Sequence, residues 1–147
     1  MDNNQILDDI LTKIKKSIIN YDSPSFNRTY IEIKAKDIIS VSDILFNQYN
    51  ARFITASGFD NIKDMQIFYH FAFDKNNLII TLKVILKINN PEIDSISNLF
   101  PAAIWIEREM RELLGIEFKG LKETKHLLLP DNWPKNNFPL KHEVLDD

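Results

Sequence analysis

A chain of 147 residues with 44% hydrophobic and 27% charged residues and no cysteine has the size of one globular domain, able to bury a core without disulfides or a structural metal. Its formal net charge of -3 argues against a nucleic-acid binder, and the absent thiolates leave no ligands for an iron–sulfur cluster, so the chain is expected to be redox-silent. No run approaches the roughly 18 apolar residues of a membrane span, and the first residues lack a basic leader with an apolar core, so the expectation is a cytoplasmic protein that only partners hold at a membrane.

Ile6, Leu7, Ile10, Leu11, Ile14 and Ile18 recur at helical spacing and predict an amphipathic helix over 4–20, with Lys13, Lys15 and Lys16 on its other side. A lipid-surface helix is the rival reading; Asp8, Asp9 and the lack of an aromatic anchor weigh against it. Residues 21–27, with Pro24 and small polar side chains, read as a connection. Residues 30–34 then alternate as a half-buried strand, and Asp37 offers an N-cap to a helix over 37–48 with Ile38, Val41, Ile44 and Leu45 as its stripe. A strand over 52–57 follows, stopped by Gly58.

Ile67, Tyr69, Phe71 and Phe73 alternate with Phe68, His70 and Ala72, and the turn Asp74-Lys75-Asn76-Asn77 leads into a second alternating run over 78–88. There Ile80, Leu82, Val84, Leu86 and Ile88 share one face while Lys83 and Lys87 share a partly solvated one. Pro91 ends the sheet. Leu99, Ala103, Ile106, Met110 and Leu113 then predict a helix over 98–114, with Pro101 in its first turn and Gly115 just past its end. Glu107 with Arg111, and Arg108 with Glu112, are expected as flank ion pairs. Beyond Phe118, Pro130, Pro134 and Pro139 interrupt any regular element while Leu127, Leu128, Leu129, Trp133, Phe138 and Leu140 stay apolar. Such a tail has no core of its own and is expected to lie across its own domain or a partner.

The stretches Phe100-Pro101-Ala102-Ala103, Trp105-Ile106-Glu107-Arg108-Glu109 and Leu114-Gly115-Ile116-Glu117-Phe118 resemble the signature of the C-type peripheral-arm subunit of respiratory complex I and of its counterpart in membrane-bound, energy-converting NiFe hydrogenases. Leu127-Leu128-Leu129-Pro130-Asp131-Asn132-Trp133 and Phe138-Pro139-Leu140-Lys141 resemble that family's further elements, in order. Glu112 stands where the family commonly has Asp; Lys125-His126 replaces a paired Arg, and Lys141-His142 ends the last element. The detailed resemblance covers about the last third of the chain.

Catalytic readings of these residues are weak. Glu107 and Glu109 point to different sides of a helix, unsuited to sharing a substrate. His70, His126 and His142 lack metal-ligand spacing, and the three glycines form no phosphate loop. His70 reads as a packing or hydrogen-bonding residue, His126 and His142 as surface or interface groups. Arg108 would be a natural anchor for a partner's carboxylate if its face is buried by another subunit. Trp133 reads as an interface residue; Trp105 stays open between core and interface.

The expected fold is α+β: a mixed, largely antiparallel sheet of about four strands with helices packed on it. Residues 1–120 form the domain and 121–147 an extended partner-binding arm. The resemblance implies a non-catalytic, cofactor-free assembly subunit, with no nucleic-acid or direct nucleotide binding. It would dock on a hydrogenase-type large subunit and an iron–sulfur small subunit, peripheral on the inner face of the cell membrane. Those partners would hold iron–sulfur clusters and either a NiFe centre or a quinone pocket, in a complex coupling electron transfer to ion translocation. Its contact residues would be Trp105, Glu107, Arg108, Glu109, Arg111, Glu112, Gly115, Leu129, Pro130, Trp133, Pro139, Leu140 and Lys141. The chain's stop at Asp147, soon after Lys141, leans the expectation toward the hydrogenase counterpart over the complex I member. A free-standing adaptor or small-molecule-binding domain is the reading of another class, and the apolar, proline-broken tail argues against it.

Overall fold

The first helix, α1 (Asn3–Lys13), starts on a reciprocal cap: Asp2 accepts from the Gln5 backbone N–H while the Gln5 side chain accepts from that of Asp2. Its length is shorter than the 4–20 periodicity predicts. After a single 3-10 turn at Lys15–Ser17, the chain enters a strand, β1 (Ile18–Ser25), that occupies the stretch expected to be a connection. Ile18 and Ile19 are β-branched and suit a pleated ribbon, and Ile18 pairs with Ile33 of β2 (Arg28–Ile33). Pro24 is tolerated because β1 is an edge strand. The structure is a computed structural model, and it describes residues 2–123 and 125–142.

Helix α2 (Ile38–Tyr49) closes on Asn50, whose left-handed backbone lets its N–H reach the Leu45 and Phe46 carbonyls. Asp37 precedes it without a side-chain cap; its carbonyl instead accepts from the Ser40 hydroxyl. Strand β3 (Arg52–Asp60) runs through Gly58 rather than stopping there. A side chain at Gly58 would place its Cβ 2.9 Å from Leu114 Cδ1 and 3.0 Å from Met110 Sδ, so the glycine marks a close approach of helix to sheet, not a turn. Strands β4 (Asp64–Phe73) and β5 (Leu78–Lys87) pair antiparallel in unbroken register across the expected turn.

The sheet order is β1-β2-β5-β4-β3, with β2 parallel to β5 and the other neighbours antiparallel. The fold is therefore mixed α+β as expected, with five strands in this sheet instead of four. One face carries Ile31, Ile67, Tyr69, Phe71, Ile80 and Leu82, all fully buried in a single cluster with Ile10 of α1 and Leu45 of α2. The opposite face carries half-buried Lys83 near Glu32, and half-buried His70 hydrogen-bonded to Thr81 at 2.8 Å. His70 thus has the hydrogen-bonding place that its strand position suggests.

A second, two-stranded parallel sheet joins β6 (Glu92–Asp94) to β7 (Glu117–Lys119), and helix α3 (Ala103–Leu114) lies between them in sequence. Pairing the two flanks of a helix to each other fixes both its ends. The helix starts later than 98, with Pro101 in the preceding turn, and ends at Gly115, whose φ of 74° is left-handed.

Candidate functional site

Toward the core helix α3 buries Ala103, Glu107, Met110 and Leu114, at spacings of four, three and four, and Glu112 is buried as well, beneath the arm. Ile106 and Leu113, expected inside, are only half-buried. The stripe is rotated because Glu107 is an interior residue: it is 0% exposed, and its carboxylate accepts from the Ser95 hydroxyl and, at 2.9 Å, from the Ile96 backbone N–H. An acid can occupy that place because both donors are supplied by the segment after β6. Burial pushes the Glu107 carboxyl above the ordinary 4.5, and the two hydrogen bonds only partly oppose it. Beneath it, burial first and then the Glu107 charge push the buried Tyr69 hydroxyl well above its usual range.

The flank pairs expected on α3 are replaced by other contacts. Arg108 spends its guanidinium on the chain itself, donating to the Lys125 carbonyl at 3.0 and 3.2 Å and to the His126 carbonyl at 3.2 Å, while lying over the Trp105 ring. These bonds run through Nε and Nη2 of the Arg108 fork to backbone carbonyls. Glu112, one turn on, accepts from three successive backbone N–H groups: Leu127 at 3.0 Å, Leu128 at 2.6 Å and Leu129 at 3.4 Å. Arg111 lies 3.8 Å from Glu117 of β7.

The remaining arm follows the same helix. The Leu140 N–H donates to the Leu113 carbonyl, and the His142 N–H to the buried Asp60 carboxylate at the end of β3, which also accepts from Ile62. Burial alone would raise the Asp60 carboxyl; the Ile62 and His142 hydrogen bonds bring it below its ordinary 3.8. Phe138 packs so close to Gly115 that a Cβ there would lie 2.6 Å from its ring. Trp133 Nε1–H donates to the Asn137 carbonyl, and His126 Nδ1–H to that of Pro130. A cleft of about 380 Å³ opens between the last turn of α3 and the arm, lined among others by Glu112, Leu129, Trp133 and Phe138.

Of the contact residues named from sequence, the structure brings Glu112, Gly115, Leu129 and Trp133 around one cleft, with Arg108 one turn from Glu112, while Leu140 lies against Leu113 on the side turned toward β3. Lys141 Nζ lies 5.9 Å from the Phe138 ring, while Pro130 and Pro139 are exposed. Glu109 lines a shallower cleft against β3 with Ile106, Leu113 and Leu140. Glu107 is separated from this group, inside the domain. Trp105 is 60% exposed, which removes the core reading for it. Leu128, at 64%, and Leu140, at 59%, are exposed with it. Sequence reasoning missed Ser95, Ile96 and Asp60; the first two act through a hydroxyl and a backbone N–H, which leave no hydrophobic pattern. Residues 143–147 lie outside the described residues, as does the end of the expected arm. Among the described residues, no group of three or more His, Asp or Glu side chains is placed to hold a metal, and no helix is long and apolar enough to cross a membrane.

The profile of the family described as "Respiratory-chain NADH dehydrogenase, 30 Kd subunit" matches residues 31–145. Formate hydrogenlyase subunit 5 of Escherichia coli is 36% identical over 81 residues, which is 54% of this chain but only 14% of that protein. Hydrogenase-4 component G of the same organism is 36% identical over 67 residues, 46% of this chain and 12% of that one. The C-type subunit of the F(420)H(2) dehydrogenase of Methanosarcina mazei is 29% identical over 141 residues, covering 91% of this chain and 89% of the relative. Among solved structures, a chain of a membrane-bound sulfane sulfur reductase, an archaeal respiratory membrane complex, superposes with a TM-score of 0.82 at 15% identity, over 94% of this chain and 82% of that one. A trypsin-resistant fragment of Nqo5 superposes at 0.65, also at 15% identity, over 84% and 99% of the two chains. At that identity the superpositions establish a common fold, and the profile runs from within β2 through β3, β4, β5 and α3 into the arm: the chain belongs to the 30 kDa subunit family of respiratory-chain NADH dehydrogenase, whose members are subunits of oxidoreductase complexes.

Proposed function

We propose that this chain is a cofactor-free, non-catalytic assembly subunit of a membrane-associated, energy-converting NiFe hydrogenase, docked on the large subunit through the outer side of α3 and the arm. What supports this reading is the way relatives use the domain. In formate hydrogenlyase subunit 5 and hydrogenase-4 component G the matched stretch is 14% and 12% of the protein, so a similar domain is covalently joined there to a much longer chain. A domain tethered in one protein commonly docks on the counterpart of that tether in another. The exposed Trp105, Leu128 and Leu140 supply apolar anchors of the kind that dominate interface energetics. Iron–sulfur clusters and the NiFe centre would reside in the partners, and membrane attachment would come through them.

A second reading, the C-type member of a complex I-like quinone reductase, is favoured by one observation: the relative matched nearly end to end belongs to a dehydrogenase. The test is co-expression with the large subunit from the neighbouring reading frames. Stoichiometric co-purification is expected, with Trp105→Ala weakening it by about 2 kcal/mol, roughly 30-fold. Two Cys-x-x-Cys pairs in that partner, with hydrogen evolution by the complex, select the hydrogenase; a partner without them, with quinone reduction, selects the second reading. Failure of the full chain to bind any large subunit overturns both.

A further inference from the structure

The contacts of Arg108 and Glu112 are made to main-chain atoms of the arm, and they are complementary in kind. Four residues apart, the two side chains lie one turn from each other on the same helix face. The cation takes the carbonyls of Lys125 and His126; the anion takes the N–H groups of Leu127, Leu128 and Leu129. Successive N–H groups converging on one carboxylate form an anion-binding nest, and charge-assisted bonds of this sort are roughly twice as strong as neutral ones. The Pro130 carbonyl is also engaged, by His126. The N–H groups of Lys125, Leu127, Leu128 and Leu129 and the carbonyls of Lys125, His126 and Pro130 are therefore engaged within the chain, while the Leu128 side chain points to solvent.

We propose that Arg108 and Glu112 are positioning residues that clasp residues 125–129 onto α3 before any partner arrives. The arm is then preformed, and this stretch meets its partner chiefly through side chains, Leu128 foremost, because the N–H groups of Leu127, Leu128 and Leu129 that a partner's strand would need are already given to Glu112. The clasp needs no particular side chains at 125–129. Binding with a preformed segment also avoids the ordering cost that an extended tail otherwise carries. The clause about a partner rests on the docking reading above; the clasp itself does not.

The experiment measures amide hydrogen exchange on the full chain alone, for wild type, Glu112→Gln, Glu112→Asp and Arg108→Ala, with thermal unfolding recorded for each. Leu127, Leu128 and Leu129 amides should be protected in the wild type and lose about 10-fold to 100-fold of that protection in Glu112→Gln, while the amides of α3 change much less. Glu112→Asp keeps the charge but shortens the reach, and should fall between; it also serves if the Gln variant does not fold. Wild-type amides exchanging as fast as an unstructured peptide, or protection unaffected by Glu112→Gln and Glu112→Asp, would overturn the clasp. Leu128→Asp should leave the protection intact and weaken co-purification with the large subunit. Protection present in a wild type that binds no large subunit supports the clasp and rejects the docking reading.

Discussion

The body of the molecule and its arm are held together by different forces. In the sheet and the faces of α1 and α2 turned toward it, side chains such as Ile10, Leu45, Tyr69, Phe71 and Leu82 are fully buried, and stability there scales with apolar area removed from water. From 125 to 142 the described residues are all exposed or half-buried. What positions them is a set of hydrogen bonds, donated by Arg108 and accepted by Glu112, the Leu113 carbonyl and Asp60, together with Phe138 packed over Gly115. The body is thus specified by what it excludes, and the arm by what it is bonded to. Substitutions in the first should alter whether the chain folds; in the second, where the arm sits.

The largest effect should come from Phe71→Ala. Phe71 contacts the rings of Phe53 and Phe100 at 5.7 and 5.5 Å between centroids, and its loss should cost about 3–5 kcal/mol in denaturant unfolding. Next is Glu107→Ala, which leaves the Ser95 hydroxyl and Ile96 N–H buried without their acceptor, at about 2–3 kcal/mol. Glu107→Gln sharpens this through pH. Because burial raises the folded-state value above 4.5, the native state binds the proton more tightly than the unfolded chain does. The stabilisation is fully present below 4.5 and is lost as pH rises through the folded value; thermal unfolding of the wild type should show that step, and the Gln variant should lack it.

Where the body holds the arm, the effects should be smaller and local. Gly115→Ala forces a side chain onto a φ of 74° and against Phe138, and should cost about 1–2 kcal/mol while displacing the Phe138 ring, read from its side-chain NMR shifts. Asp60→Asn should cost about 1 kcal/mol or less in global stability. Its mark is the acid limb. The Asp60 value is lowered in the folded chain, so its contribution is present above 3.8 and is lost as pH falls through the folded value. Protection of the His142 amide, relative to an unstructured peptide at the same pH, should fall as pH drops over that window in the wild type and be low throughout in the variant.

The same contrast governs what could be read from the sequence. Strands β2 to β5 were legible because burial on one face imposes a period of two, as in the alternation from Ile67 to Phe73. Strand β1 was not, since the residues after its first are exposed and no alternation marks them. The α3 helix was found, but its inner face was misplaced by about one position, because a hydrophobic stripe cannot show that an acid, Glu107, belongs to it. The arm's apolar load and its likeness to family elements were visible, whereas its seat on α3 depends on backbone atoms of residues 125–129, which every residue type supplies alike.

The parallel pairing of β2 with β5 sets a timetable. Arg28 of β2 faces Ile79 of β5, and α2, β3 and β4 all lie between them in the chain. The hairpin of β1 and β2 has no sheet to join until β5 exists, so the β3–β4–β5 meander, with its near-neighbour contacts, should assemble first and the earliest-synthesised strands should be the last to dock. Pulse-labelled exchange during refolding should protect Tyr69 and Leu82 before Ile31.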